Sequence, residues 1–478
     1  MRGRKSWDVP ASVFAQKTFN PIRNIVENLQ IVPHPEKPLI ALSIGDPTVF
    51  GNLKPAKEVT EAVVTAIQSG KYNGYAPTTG YVEAREAVAK YCSVPGAAEL
   101  EAKDIVLCSG CSGAIDLCIT ALCAPGQNIL VPRPGFPLYT TIAEGLLINS
   151  KHYDLLNWEV DLALEELIDE NCAAIVVNNP SNPCGSVFMP PPEDIDVAAR
   201  NKVPIIADEI YNHFVFEGQE YHPLASLTKE VPVLSCGGLT KRFLTPGWRM
   251  GWIAISDRNN IFKEIRKGLQ SLSQRIIGSN TLIQGALPTI LNTTPESFFS
   301  NTISQIQTNA KMCYNFIKET PGLHPVMPQG AMYMMVGVDM DGFGQFATDL
   351  EFVERLISEE SVFCLPGTCF GSHNYVRVVL TVPKETLREA CARISTFCTR
   401  HYHPQTITNG ISNANVTNGH INGGTHEMCN GGNHEHPMKE EVDVLAAKVN
   451  AIENVSSLVS ETERLTKGRC VVCGGGSL

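Results

Sequence analysis

Lys241 lies eight residues before Arg249 in the segment Ser-Cys-Gly-Gly-Leu-Thr-Lys-Arg-Phe-Leu-Thr-Pro-Gly-Trp-Arg-Met-Gly-Trp, residues 235–252. A lysine among small residues can form an imine with an aldehyde, and a nearby arginine can hold an anionic group of the same molecule. Together they point to a phosphate-bearing aldehyde cofactor. Three further groups extend the set. Asp208 and Tyr211, three residues apart, offer an acid that can pair with a protonated ring nitrogen and a phenol that can donate to a ring oxygen. Asn182 sits in Asn-Asn-Pro-Ser-Asn-Pro-Cys-Gly, residues 178–185, where two prolines and a terminal glycine impose a turn. Ser109-Gly-Cys-Ser-Gly113 closes an apolar run and opens a helical one, so that bare backbone N–H groups and the helix dipole can accept a phosphate. Singly, each has a plainer reading: Asp208 as a helix N-cap, Asn182 as a turn cap, the Ser/Gly segment as a turn, and Lys241 and Arg249 as solvated charges.

The elements that must position these residues are legible as short apolar runs beginning near 105, 128, 173, 204, 232 and 252. The runs are continuous rather than alternating, as in strands buried on both faces. Helix-compatible segments such as 112–123 and 192–201 lie between them, which predicts an α/β fold with a mostly parallel, seven-stranded-type sheet covered by helices. Asn178, Asp208 and Lys241 fall at or just beyond strand ends, where open α/β sheets bind ligands. From about residue 322, strands at 331–338, 361–366 and 375–380 and a closing helix over 384–401 predict a smaller α+β domain, joined by the N-terminal stretch 38–46.

The predicted organisation is a flexible N-terminus over 1–16, an N-terminal segment over 17–60 that serves the small domain and substrate closure, a large domain over 61–321 and the small domain over 322–402. An Asn/Gly/His-rich linker over 403–438 is too poor in apolar residues to offset the entropy of ordering. An amphipathic helix over 439–466 and a Cys/Gly-rich tail over 467–478 follow. His426, Cys429, His434, His436, Cys470 and Cys473 include one Cys-x-x-Cys half-site, but their spacing fixes no ligand set, and no metal is expected.

With 49 acidic against 38 basic residues and a net charge of −11, the chain lacks the basic balance of a nucleic-acid surface. No apolar run is long enough to span a bilayer, and the basic start, Met-Arg-Gly-Arg-Lys, leads into no apolar h-region. A cytoplasmic protein with reduced thiols at its 16 cysteines is expected, a mitochondrial address being the less favoured alternative.

The order of these words resembles the fold-type I enzymes that use pyridoxal 5′-phosphate, specifically the aminotransferases, and most closely the animal tyrosine aminotransferases. The resemblance is carried by Asn20-Pro-Ile-Arg23, Ser43 to Gly51, Lys71 to Pro77, Pro132 to Phe136, Asn178 to Phe188, Ser235 to Trp252 and Arg377-Val-Val, and it covers roughly residues 17 to 402. It implies that Lys241 holds the cofactor as an imine and then serves as the base for the α-proton, and that Asp208 keeps the ring nitrogen protonated. Tyr211 and Asn182 would bond the ring oxygen, Phe136 would stack on the ring, and Arg249, Ser112 and the backbone at Cys111 would hold the phosphate. Tyr75 would reach that phosphate from a second subunit, so a homodimer with shared active sites is implied. Arg377 would take the substrate carboxylate, and Gly45 would let its segment close over the substrate. The implied reaction is transfer of nitrogen from L-tyrosine, with phenylalanine a minor donor, to 2-oxoglutarate. A lyase of the same fold acting on cysteine or methionine derivatives is the runner-up, and a non-catalytic sensor is the alternative from a different class.

Overall fold

The computed structural model describes residues 9–404, apart from 30, 157–158, 161–163 and 188–191. The tail readings beyond 404, including its Cys and His residues, lie outside the described residues, as do residues 1–8 of the 1–16 segment.

The first strand is β1 (Ile40–Ala41). The large sheet follows with β2 (Ile105–Ser109), β3 (Asn128–Arg133), β4 (Asn149–Leu156), β5 (Glu159–Val160), β6 (Cys172–Asn178), β7 (Ile205–Asp208), β8 (Val233–Gly238) and β9 (Met250–Ser256). Its order is β2-β9-β8-β7-β6-β3-β4-β5. Only β9 and the two-residue β5 run antiparallel to their neighbours. A sheet of seven strands with one short added edge strand thus agrees with the mostly parallel sheet expected. Its inner strands are buried on both faces. Val106, Ile129, Val176, Ile206 and Leu234 pack on one side with Ile115 and Ile119 of the helix Gly110–Leu122. On the other side Leu107 and Trp252 meet Leu287 and Ile290, while Leu130, Ile175 and Val233 meet Ile195 and Ala198.

The apolar-run reading misses β4, whose sequence Asn-Ser-Lys-His-Tyr-Asp-Leu-Leu has exposed His152 and Asp154 alternating with buried Tyr153 and Leu155 near the sheet edge. A strand covered on one face carries the period-2 pattern rather than a solid apolar run.

The small sheet contains β10 (Leu323–Pro325), β11 (Tyr333–Val338), β13 (Leu365–Pro366) and β14 (Tyr375–Val379), antiparallel in the order β10-β11-β14-β13, with β12 (Val362–Phe363) pairing β1 in parallel. The 22-residue helix Glu296–Ile317 reaches it through Asn309, whose amide donates to the carbonyls of Leu380 and Val382 at 2.8 Å each. Among the described residues, no helix is long and apolar enough to cross a membrane.

Candidate active site

Asp208 ends β7 and is 3% exposed. Its Oδ2 accepts from the Tyr139 hydroxyl at 2.6 Å, and its Oδ1 from the Cys111 thiol at 3.6 Å and the Ile210 N–H at 3.3 Å. Burial pushes its carboxyl up from the ordinary range, opposed by the Tyr139 bond and the other donors. No helix follows it, so the N-cap alternative for Asp208 does not hold. Tyr139 is the second residue of the helix Leu138–Gly145, and the ring of Phe136, just ahead of that helix, stands edge-on to it, centroids 5.8 Å apart at 87°.

The helix Gly110–Leu122 starts at the carboxyl end of β2 with no side chain capping it. Gly110 has φ +72°, and a Cβ there would lie 2.4 Å from Arg249 Nη2. That Nη2 donates to Ser112 Oγ at 3.1 Å and to the Ser109 carbonyl at 3.3 Å. Arg249 itself is held in the left-handed region, φ 52°, at a cost of about 1 kcal/mol. Its Nη1 donates to the Pro246 carbonyl at 2.9 Å, which helps fix it at the mouth of the helix. Uncapped N–H groups, Ser112 and Arg249 therefore converge. The Cys111 side chain turns inward to Asp208, leaving its backbone N–H on the helix end.

Lys241 follows β8 and donates from Nζ to the Gly45 carbonyl, with Nζ 5.7 Å from the centre of the Tyr211 ring. Tyr211 shares a 2.7 Å hydrogen bond with the hydroxyl of Tyr333, on β11. A Cβ on Gly45 would fall 2.2 Å from that Tyr333 hydroxyl, so only glycine fits there without displacement. Burial pushes the Tyr333 phenol up, but the charges of Lys241 and Arg377 and the bond to Tyr211 outweigh it and the net direction is down. Burial and Tyr333 push the Tyr211 phenol up.

Arg377, on β14, is 2% exposed. Its Nη1 donates to Asn182 Oδ1 at 2.9 Å and its Nη2 to the Ser43 carbonyl at 2.7 Å, while Nε has no partner. The guanidinium carbon lies 4.2 Å from the Tyr333 ring centre and 4.7 Å from that of Phe370. Burial pulls the guanidinium down from its ordinary value. Asn182 is fixed in turn by its own N–H, which donates to Asn178 Oδ1 at 2.8 Å.

The structure thus joins Lys241 with Gly45, Asn182 with Arg377, Asp208 with Cys111, and Arg249 with Ser112. Tyr75 stands apart, 87% exposed. Sequence reasoning missed Tyr139, which follows Phe136 at a spacing of three, and Tyr333, hidden in an unbroken apolar run.

An uncapped helix start beside an arginine, a buried acid at one strand end and a lysine at the next define an enzyme that works with a phosphorylated aldehyde. The chain belongs to the family of class I and II aminotransferases, whose model matches residues 37–394. It is 57% identical to the human tyrosine aminotransferase over 84% of this chain and 90% of that relative, and 46% identical to the tyrosine aminotransferase of Dictyostelium discoideum over 83% of this chain and 98% of that one. Among solved structures, the tyrosine aminotransferase from Leishmania infantum matches with a TM-score of 0.79 and 36% identity, covering 83% of this chain and all of that one. The fold is that of the fold-type I enzymes, and the cofactor of the family is pyridoxal 5′-phosphate. The residues present fit it: the cradle that a Cβ at Gly110 would fill suits a phosphate, and the buried Asp208 carboxyl suits a cationic ring nitrogen.

Proposed function

We propose that this enzyme transaminates L-tyrosine, with L-phenylalanine as a further donor, against 2-oxoglutarate, giving 4-hydroxyphenylpyruvate and L-glutamate as the opening step of tyrosine breakdown. The observation that carries the reading is the buried Arg377, which keeps an unpartnered Nε in a site that also holds Lys241 and Asp208. A planar donor fork of this kind suits an amino-acid carboxylate. The tyrosine donor is supported by the names of the human, slime-mould and Leishmania relatives.

Bound at the strand ends, pyridoxal phosphate supplies an aldehyde for the donor's nitrogen and a protonated ring that delocalises the electron pair left when Cα–H breaks. Lys241 Nζ carries the α-proton away from Cα and returns it in the reverse half-reaction. Asp208 holds the ring nitrogen's proton, and the Tyr139 and Cys111 donors fix which way its carboxylate faces. Tyr211 and Asn182 bond the ring oxygen. Asn182 can do so through Nδ2, because Oδ1 is taken by Arg377. Phe136 covers one ring face. Arg249, Ser112 and the Cys111 N–H take the phosphate, and Tyr75 of the partner subunit completes that site in a homodimer. The exposure of Tyr75 alongside that of Ile67, Ile276 and Ile277 supports such an assembly. Arg377 takes the substrate carboxylate, and Gly45 leaves room for the N-terminal segment to close, excluding water. Thirteen unbridged cysteines among the described residues fit the reducing cytoplasm as its compartment.

Mixing the purified protein with tyrosine and 2-oxoglutarate tests the reading. Formation of 4-hydroxyphenylpyruvate and glutamate in equal amounts is expected. Pyruvate and ammonia from cysteine conjugates, with no hydroxyphenylpyruvate from tyrosine, would replace it with a lyase.

A further inference from the structure

Tyr333 reads in the sequence as one more core residue of Ala-Met-Tyr-Met-Met-Val-Gly-Val, and every residue of β11 is buried. Its contacts are not those of a packing residue alone. In the β11–β14 register Tyr333 faces Val379 and Met335 faces Arg377, so Tyr333 and Arg377 are diagonal neighbours within reach of one another on one face of the small sheet. The ring lies under the Arg377 guanidinium at 4.2 Å, with Phe370 also against that guanidinium at 4.7 Å. At its other end the hydroxyl meets Tyr211 at 2.7 Å, from the large sheet, and fills the space that any side chain at Gly45 would need. One side chain therefore touches the carboxylate-binding arginine, the tyrosine beside the lysine, and the N-terminal segment that the lysine bonds.

We propose that Tyr333 is a positioning residue with two separable parts: its ring holds the Arg377 guanidinium for the substrate carboxylate, and its hydroxyl donates to Tyr211 and so sharpens Tyr211 as a donor to the cofactor. This rests on the reading of the site given above. The ring's part is electrostatic, since a guanidinium over an aromatic face is held by the ring quadrupole, the more so when water is excluded. The hydroxyl's part depends on the direction of the shared hydrogen bond. The charged and titratable groups acting on Tyr333 are Lys241 and Arg377, which favour its losing a proton, and Asp208, which opposes this, along with the Tyr211 hydroxyl itself. Tyr211 carries a single hydroxyl proton; in the site proposed above that proton goes to the cofactor's ring oxygen, so the 2.7 Å bond between the two hydroxyls is then donated by Tyr333. A plain core tyrosine would need neither the stacking nor that direction.

Two variants of the holoenzyme separate the parts. Tyr333→Phe keeps the ring and removes the hydroxyl. The expected result is that the pKa read from the bound cofactor's visible absorbance rises by roughly half a unit, because a weaker Tyr211 donor opposes cofactor protonation less, while KM for tyrosine stays within about twofold. Tyr333→Leu removes the ring as well, and KM should rise by about tenfold over the Phe variant with the cofactor still bound. Should the Leu variant not fold, Tyr333→Met, which fills irregular space with an unbranched chain, makes the same comparison. An absorbance titration unchanged by Tyr333→Phe overturns the hydroxyl's role, and equal KM in the ring-bearing and ringless variants overturns the ring's role. The titration needs no substrate. It therefore stands whichever amino acid proves to be the donor, and a failed tyrosine assay of the wild type would be a separate result.

Discussion

The site buries two ionisable groups of opposite sign, Asp208 on the large sheet and Arg377 on the small one, 3% and 2% exposed. The chain treats them differently. Both Asp208 oxygens are bonded within the large-sheet side, by Tyr139, Cys111 and the Ile210 N–H. Arg377 lends its two terminal nitrogens to Asn182 and the Ser43 carbonyl, which belong to other segments, and leaves Nε without a partner. Burying an incompletely bonded cation is costly, and a protein can keep one where a ligand will complete it. The difference teaches a division of labour. A group that serves a resident cofactor is fixed by its surroundings, whereas a group that must capture and release a substrate on every turnover holds a donor in reserve on bonds that can be exchanged.

The largest effect that would break this division is at Lys241. Lys241→Ala should lower turnover by roughly a thousandfold or more and remove the absorbance of the cofactor's imine, while an unreactive substrate carboxylate still binds at Arg377. Steady-state rates, absorbance and equilibrium binding of a substrate analogue check it, and near-normal turnover would refute the role assigned to the lysine. Next in size is Arg377→Lys. It keeps the charge and loses the planar fork together with its place between Tyr333 and Phe370, so kcat/KM for tyrosine should fall by about a hundredfold, mostly through KM. The absorbance of the bound cofactor should be little changed. If this variant instead lost its cofactor, the two regions would not be separable in the way the bonding implies.

The two regions also differ in how far they can be read without coordinates. On the large sheet, Asn178, Asp208 and Lys241 stand out because a polar residue at or just beyond the end of a solid apolar run breaks the pattern, and the parallel α/β arrangement says where such ends gather. The strand β4 escapes that reading for the converse reason, its exposed face making it alternate. On the small sheet Arg377 is visible as a charge in Tyr-Val-Arg-Val-Val, but Tyr333 is not, since a tyrosine flanked by methionines and valine reads as core and is core. Its part in the site comes from strand register and from a hydroxyl contact across to Tyr211, neither of which spacing along the chain encodes. Tyr139 is intermediate: its spacing from Phe136 hints at a shared direction, but the Asp208 carboxylate it meets is 69 residues away.

The smallest effect sharpens the claim that Asp208 is held by the protein itself. Burial raises its carboxyl above the ordinary range in the folded chain. A folded state that binds this proton more tightly than the unfolded chain gains stability from it below the ordinary carboxylate range and loses that gain as pH rises through the raised folded value. In cofactor-free protein, Asp208→Asn removes the ionisation and keeps an oxygen for the Tyr139 hydroxyl. The difference in thermal midpoint, wild type minus variant, should therefore favour the wild type at acid pH and fall as pH rises, leaving the variant higher by about 2 °C near neutrality. Adding pyridoxal phosphate at neutral pH should reverse that order, because only the ionised carboxylate offers the ring nitrogen a charge. Scanning calorimetry with and without cofactor across this pH range reads both signs. A difference that does not change with pH would mean that Asp208 is no less at ease as an anion in the empty protein than in water, and that its hydrogen bonds offset its burial as completely as a substrate would offset that of Arg377.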